Sequence, residues 1–222
     1  MAQGVLPRLL ALPGVYRPQA DTHLLARALA REDLRPTTRV LDIGTGSGAI
    51  ALRAASRGAK VTAVDTSWRA VATTRLNALH RRLPLRVLHG DFTARTTGQR
   101  FDLVLANPPY VPSPSSRLPV SGPELAWDAG RNGRVVIDRI CANVPVLLHH
   151  GGLLLMVHSA MCNPDHTLKQ LTEAGLIAHI TQRERVPWGP VLRSRRAWLQ
   201  KQGLAAFGEE REELVIIRAQ AL

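Results

Sequence analysis

Short apolar runs alternate along this chain with stretches of helical period. Arg39–Ile43, with Val40, Leu41 and Ile43 between turn-forming residues, predicts a first strand. Lys60–Asp65, Leu85–His89 and Phe101–Ala106 read as strands two to four, and Leu153–His158 as the fifth. Between them, apolar residues recur at helical spacing in Ser47–Ser56, in Ser67–Leu79 with Ser67 as cap, and in Arg134–Leu148. An earlier helix, capped by Asp21 or Thr22, is expected to reach Arg31, with Leu24, Leu25, Ala28 and Leu29 on one face. Pro164–Ala174, ended by Gly175, predicts a later helix, and Pro190–Gly203 an inserted basic one. Leu176–Arg185 and Glu213–Arg218 predict two more strands, the last closing the sheet edge. Strands separated by helices imply βαβ units, so we expect an α/β fold. Its seven-stranded sheet is mostly parallel, with helices on both faces and an antiparallel last strand.

The punctuation divides the chain no further. Residues 1–16, with Pro7, Pro13 and Gly14, predict an irregular lead-in. The Pro- and Ser-rich Val111–Pro123 opens a loop expected over 111–133, and 188–210 reads as a basic insertion. Neither a repeat nor a linker breaks 1–222, so a single domain is expected. At 45% hydrophobic and 21% charged residues the composition is that of a globular protein and excludes general disorder. The longest apolar run, Gly151–Val157, is strand-sized and far short of the ~20 residues that span a bilayer. No secretory pattern stands at the start, so a cytoplasmic protein is expected. Cys141 and Cys162 form no CxxC pair, which argues against a zinc ribbon or a disulfide scaffold. Lys and Arg number 29 against 17 acids, a net +12; only Lys60, Lys169 and Lys201 are lysines. Such charge either attracts nucleic acid or reflects arginine replacing lysine throughout. Arg183, Arg185, Arg193, Arg195 and Arg196 form its densest set.

Candidate chemistry gathers at the predicted strand ends. In Val40-Leu41-Asp42-Ile43-Gly44-Thr45-Gly46-Ser47-Gly48, glycines stand where a strand turns into a helix, which lets a ligand approach the backbone. Gly44, Gly46 and Ala49 also satisfy a dinucleotide-binding pattern, so the turn alone leaves the ligand open. Three carboxylates narrow it. Asp42 before the turn suits an ammonium group, and Asp65, followed by Thr66, suits two ribose hydroxyls. Asp91 suits an adenine amine that Phe92 would cover. An amino-acid head, a ribose and an adenine together describe S-adenosylmethionine. The candidate cofactor set is therefore Asp42, Gly44, Thr45, Gly46, Gly48, Asp65, Thr66, Asp91 and Phe92.

Asn107-Pro108-Pro109-Tyr110 follows the fourth strand. Together with Asp42–Gly48, Asp65 and Asp91 it resembles class I methyltransferases that modify planar amide or amine nitrogens. Arg17-Pro18-Gln19-Ala20-Asp21-Thr22, Asp128-Ala129-Gly130-Arg131-Asn132-Gly133 and Glu213-Leu214-Val215 extend the likeness to the HemK/PrmC family of protein-glutamine N5-methyltransferases. The likeness covers roughly residues 15 to 219 and is nearest the short form without an N-terminal helical domain. The resemblance implies a Rossmann-like class I methyltransferase fold, a translation release factor as protein substrate, and a small zinc-binding activator subunit as partner. It also implies that Arg17 and Pro18 lie near the cofactor, and it adds Arg17 and Asn107 to the cofactor set.

The tetrapeptide makes chemical sense by itself. Two rigid prolines can aim the Asn107 oxygen and the Pro108 carbonyl at the two N–H bonds of a substrate –NH2, turning its nitrogen toward a methyl donor, while Tyr110 packs on the flat group. No general base or metal ligand is assigned. His149-His150-Gly151-Gly152 reads as a turn, His158 as a strand-end residue, and Trp127, Trp188 and Trp198 as packing or substrate-stacking residues. Adenine N6 of RNA or DNA, or a small-molecule amine, is the alternative acceptor.

Overall fold

The computed structural model describes residues 9–222. Its strands are β1 (Arg39–Ile43), β2 (Lys60–Asp65), β3 (Leu85–His89), β4 (Phe101–Ala106), β5 (Leu148–Ser159), β6 (Leu176–Pro187) and β7 (Arg211–Ala221). They form one sheet in the order β3-β2-β1-β4-β5-β7-β6. β1 to β5 pair in parallel, and β7 runs antiparallel to both β5 and β6. Central strands are buried on both faces, which is why Val40-Leu41 and Leu103–Ala106 carry apolar residues without alternation.

The helices are α1 (Ala20–Ala30), α2 (Ala49–Ala55), α3 (Trp68–His80), α4 (Phe92–Arg95), α5 (Val135–Leu147), α6 (Pro164–Glu173), α7 (Pro190–Ser194) and α8 (Arg196–Lys201). α1, α2 and α3 contact one another in succession; α5 and α6 form a second group against the sheet. Local signals set the ends. The Ser67 hydroxyl accepts from Ala70 N at 3.4 Å to start α3. Asn163, at φ 55°, caps α6 ahead of Pro164. None of the helices among the described residues is long and apolar enough to cross a membrane.

Four expectations are corrected. β7 does not close the edge; it lies between β5 and β6. Leu214, Val215, Ile216 and Ile217 are all buried, and an edge strand cannot cover four consecutive apolar residues. β6 is the edge, and its exposed Thr181, Arg183 and Arg185 alternate with half-buried residues. The basic helix at 190–203 is two short helices meeting at Arg195. α1 is capped at Gln19, which frees Asp21 to point inward. His149–Gly151 belong to β5, where the pairing with β4 shifts register, and do not form a turn before it.

Residues 1–8 of the expected lead-in lie outside the described residues. From Leu9 to Gln19 the chain has neither helix nor strand. It is stitched to α3: Leu10 N donates to Asn77 Oδ1 at 3.0 Å, and Asn77 Nδ2 returns to Leu10 O at 2.9 Å.

Candidate active site

Register brings four strand ends to one level. Ile43 pairs with Val64 of β2 and with Ala106 of β4, and Asp65 pairs with His89 of β3. The strand order reverses between β1 and β4, so a crevice opens outside their carboxyl ends. Gly44, Gly46 and Gly48 turn into α2 at φ 69°, 57° and 82°, a left-handed backbone that favours glycine. A Cβ on Gly48 would stand 2.9 Å from Thr74 Cγ2. The turn abuts the tetrapeptide, since a Cβ on Gly44 would lie 3.9 Å from the Asn107 carbonyl oxygen.

The three aspartates meet different surroundings. Asp42 is buried, and its Oδ2 accepts from Thr45 Oγ1 at 2.6 Å. Burial pushes its carboxyl up to about 7 against that bond, with neighbouring Asp65 adding to the rise. Asp65 takes Gly46 N at 2.9 Å and Ser67 N at 2.8 Å; burial raises its carboxyl too. Asp91 caps α4 through Thr93 N and bonds Arg139 at 2.6 Å. Burial works to raise it, but the bonds from Thr93 and Arg139 outweigh burial and hold it below the usual carboxylate range. Asp91 thus reaches the crevice already paired, which its position after β3 did not announce.

The tetrapeptide is held from two sides. From α1, Asp21 accepts Tyr16 and Tyr110 hydroxyls on Oδ2 at 3.0 and 3.2 Å, and Thr22 N and Oγ1 on Oδ1 at 2.6 and 3.1 Å. Burial and this carboxylate raise both tyrosines above their ordinary pKa. Asn107 Nδ2 donates to Thr22 Oγ1 at 3.4 Å. Neither Asn107 Oδ1 nor the Pro108 carbonyl accepts a hydrogen bond among the described residues. From the other side, Val111 N bonds Trp127 O at 2.7 Å and Ala129 N bonds Val111 O at 3.1 Å. Gly133, at φ 71°, packs so closely that a Cβ would overlap the Tyr110 carbonyl oxygen. Arg195 fastens the α7–α8 junction to this clamp, reaching Asp128 at 2.6 Å and Pro112 O at 2.9 Å.

Two cavities flank Asn107. The first, about 430 Å³, is lined by Asp42, the Gly44–Ser47 turn, Asp65, Thr66, Asp91, Phe92 and the loop from Leu118 to Gly122. Of the segment before α1, Gly14, Val15, Tyr16 and Pro18 line it, whereas Arg17 is exposed and lines neither cavity. The second, about 350 Å³, is lined by Asp21, Pro108, Tyr110, Trp127, Val186, Leu192, Glu212 and Leu214. Asn107, Tyr16 and Ala126 belong to both. Tyr110 faces the second cavity with its hydroxyl tied to Asp21. Trp188 is core, packed with Leu192 and Leu199, and Trp198 leans on that cluster. His158 is buried away from both cavities, and burial lowers its imidazole to about 4.

The sequence reading missed Asp21, Thr22 and Tyr16 as supports of Asn107, and Glu212 as a wall residue. Glu213, its neighbour in the chain, instead pairs with Arg183. Of the densest arginine set, Arg195 and Arg196 are also paired, with Asp128 and Glu210.

The first cavity fits a nucleoside-sized ligand. It offers buried acceptors for cationic and hydroxyl groups at Asp42 and Asp65, and close backbone approach at the glycines. Residues 8–121 match the methyltransferase small domain family. The chain is 36% identical over 175 residues to the human methyltransferase HEMK2, covering 75% of this chain and 81% of that protein. It is 37% identical over 158 residues to the release factor glutamine methyltransferase of Salmonella typhimurium, covering 68% of this chain and 57% of that enzyme. Among solved structures, Mtq2 of E. cuniculi, in the Mtq2–Trm112 complex responsible for methylation of the eRF1 termination factor, superposes with a TM-score of 0.66. It shares 24% identity over 94% of this chain and 99% of its own.

Proposed function

The chain belongs to the methyltransferase small domain family, on its HemK/PrmC branch, and from that membership we propose that it methylates the side-chain amide of a glutamine in a translation release factor. One observation carries the reading: Asn107 stands in the wall common to both cavities, with its oxygen and the Pro108 carbonyl uncommitted. S-adenosylmethionine bound in the first cavity supplies a methyl group on a sulfonium, a good leaving group. Asp42 would hold its ammonium group, Asp65 its ribose hydroxyls, and the glycine turn, Thr45, Thr66, Asp91 and Phe92 the remainder.

The protein's own part is alignment. An amide nitrogen is a poor nucleophile because its lone pair is delocalised into the carbonyl. Asn107 Oδ1 and Pro108 O accept hydrogen bonds from its two N–H groups and direct the lone pair toward the first cavity; the nitrogen that gains the methyl group gives up one of those protons to solvent. Thr22, held by Asp21, keeps the Asn107 amide in the orientation this requires. Tyr110 and Trp127 flank the planar group.

The second cavity also bears on the class of acceptor. Its ionisable residues are two carboxylates and two tyrosines, without Lys, Arg or His. Such a wall favours a neutral amide and repels phosphate, so a protein acceptor is preferred over nucleic acid. The chain acts as one domain in the cytoplasm, with Val111, Ala126 and Trp127 of 111–133 and Gly189 to Leu192 of 188–210 in the acceptor wall. By analogy with the Mtq2–Trm112 complex, the chain works with a small activator subunit. The test is transfer of radiolabel from S-adenosylmethionine to a release factor. Label should appear in the factor and vanish when the glutamine of its GGQ loop becomes alanine or when Asn107 does. Label in nucleic acid instead sinks the assignment.

A further inference from the structure

The second cavity contains a polar atom that the protein leaves unsatisfied. Glu212 Oε2 is buried and has no hydrogen-bond partner among the described residues. Glu212 begins the inward-facing row of β7 opposite Val186, and both line the cavity with Asn107 and Pro108. The same cavity wall holds apolar Val186, Pro190, Val191, Leu192 and Leu214, and Tyr16, Tyr110 and Asp21 stand near enough to feel the Glu212 charge. The other carboxylate, Asp21, is already supplied with donors by Tyr16, Tyr110 and Thr22. Buried polar atoms are almost always paired, and an unpaired carboxylate costs stability, so its retention in a ligand cavity points to a donor that arrives with the ligand.

We propose that Glu212 reads the acceptor protein by taking a hydrogen bond from a main-chain N–H of the peptide segment that carries the target glutamine. The inference rests on the proposed function, in which that glutamine enters the second cavity. Asn107 Oδ1 and Pro108 O are then occupied by the side-chain amide, and the next donors a peptide offers are its main-chain N–H groups. Burial, opposed by a bond from Ser159 and reinforced by nearby Asp21, holds the Glu212 carboxyl up at about 7, as fits a group short of donors.

The experiment compares wild type with Glu212→Leu and Glu212→Gln. Binding of the full-length release factor is measured by calorimetry on enzyme saturated with S-adenosylhomocysteine, alongside steady-state kinetics and thermal melting. Glu212→Leu should weaken factor binding and raise its KM about 10-fold or more, leaving kcat and S-adenosylhomocysteine affinity nearly unchanged. The same variant should melt higher than wild type, because it removes an unpaired buried carboxylate; a purely structural role predicts the opposite. Glu212→Gln, which keeps an acceptor oxygen, should recover most of the binding. If Glu212→Leu does not fold, Glu212→Ala carries the same comparison. Unchanged factor binding by the Leu or Ala variant overturns the inference while transfer by wild type upholds the proposed function. Wild-type enzyme that transfers nothing to the factor overturns both.

Discussion

Asn107 donates its side-chain N–H to Thr22 Oγ1 at 3.4 Å across 85 residues of chain, so an amide in the wall common to both cavities is oriented by the first helix. Thr22 is itself tied to Asp21, whose other oxygen takes the Tyr16 and Tyr110 hydroxyls. One carboxylate thereby fixes both ends of the Asn107–Tyr110 motif.

Replacing Thr22 with Val removes that bond while keeping the shape. It should lower kcat for methyl transfer about 5- to 30-fold, the equivalent of one modest hydrogen bond. Asn107→Ala should cost at least about 100-fold. Wild-type kcat in Thr22→Val would show that Asn107 takes its orientation from elsewhere.

Asp42 carries a pH signature. Its carboxyl is raised from 3.8 to about 7 on folding, so the folded state holds a proton that the unfolded state has released. That contribution to stability is present at low pH and is lost as pH rises through about 7. Glu212, also raised to about 7, works in the same direction, and His158, lowered to about 4, works in the opposite one below its ordinary value, so the wild-type profile mixes them. The difference between Asp42→Asn and wild type isolates the aspartate. In urea titrations it should grow in the variant's favour by about 2 kcal/mol between pH 5.5 and pH 8. Over the same range the variant should bind S-adenosylhomocysteine at least about 10-fold more weakly. A pH-independent difference would place the Asp42 carboxyl in its ordinary range.

Gly133 tolerates no side chain. With φ at 71° and the Tyr110 carbonyl in the space of a Cβ, Gly133→Ala should destabilise the fold by about 2–4 kcal/mol. It should also displace Tyr110, so activity should fall further than the folded fraction does. Activity tracking the folded fraction would mean the clamp acts on stability alone.

Salt should matter little. Arg183, Arg195 and Arg196 are paired with acids, and the second cavity carries carboxylates and no cationic side chain. KM for the protein acceptor should therefore change less than about 5-fold between 50 and 200 mM salt, whereas a phosphate-tracking enzyme loses about 10³-fold or more.

Much of this was legible in the chain itself. β1 to β4 lie where their apolar runs predicted, and the Gly44–Gly48 turn, Asp42, Asp65, Phe92 and Asn107 converge because parallel register carries strand ends to one edge. What stayed hidden depended on packing that periodicity does not encode. β7 is buried on both faces, so nothing in its pattern separates Glu212, which faces the cavity, from Glu213, which meets Arg183. The same double burial concealed its place between β5 and β6. Asp21 read as a helix cap, because the residues that draw it inward, Tyr16 and Tyr110, are distant or irregular in the sequence.

The placement of β7 sets an order of assembly during synthesis. β6 pairs with β7 alone, so residues 176–187 have no partner strand until residues 211–221 have left the ribosome. The glycine turn and its aspartates are complete on β1 to β4 well before then. Every residue that lines the first cavity lies at or before Arg139, whereas the second cavity, walled by Val186, Leu192 and Glu212, lacks part of its lining until Leu214 has emerged.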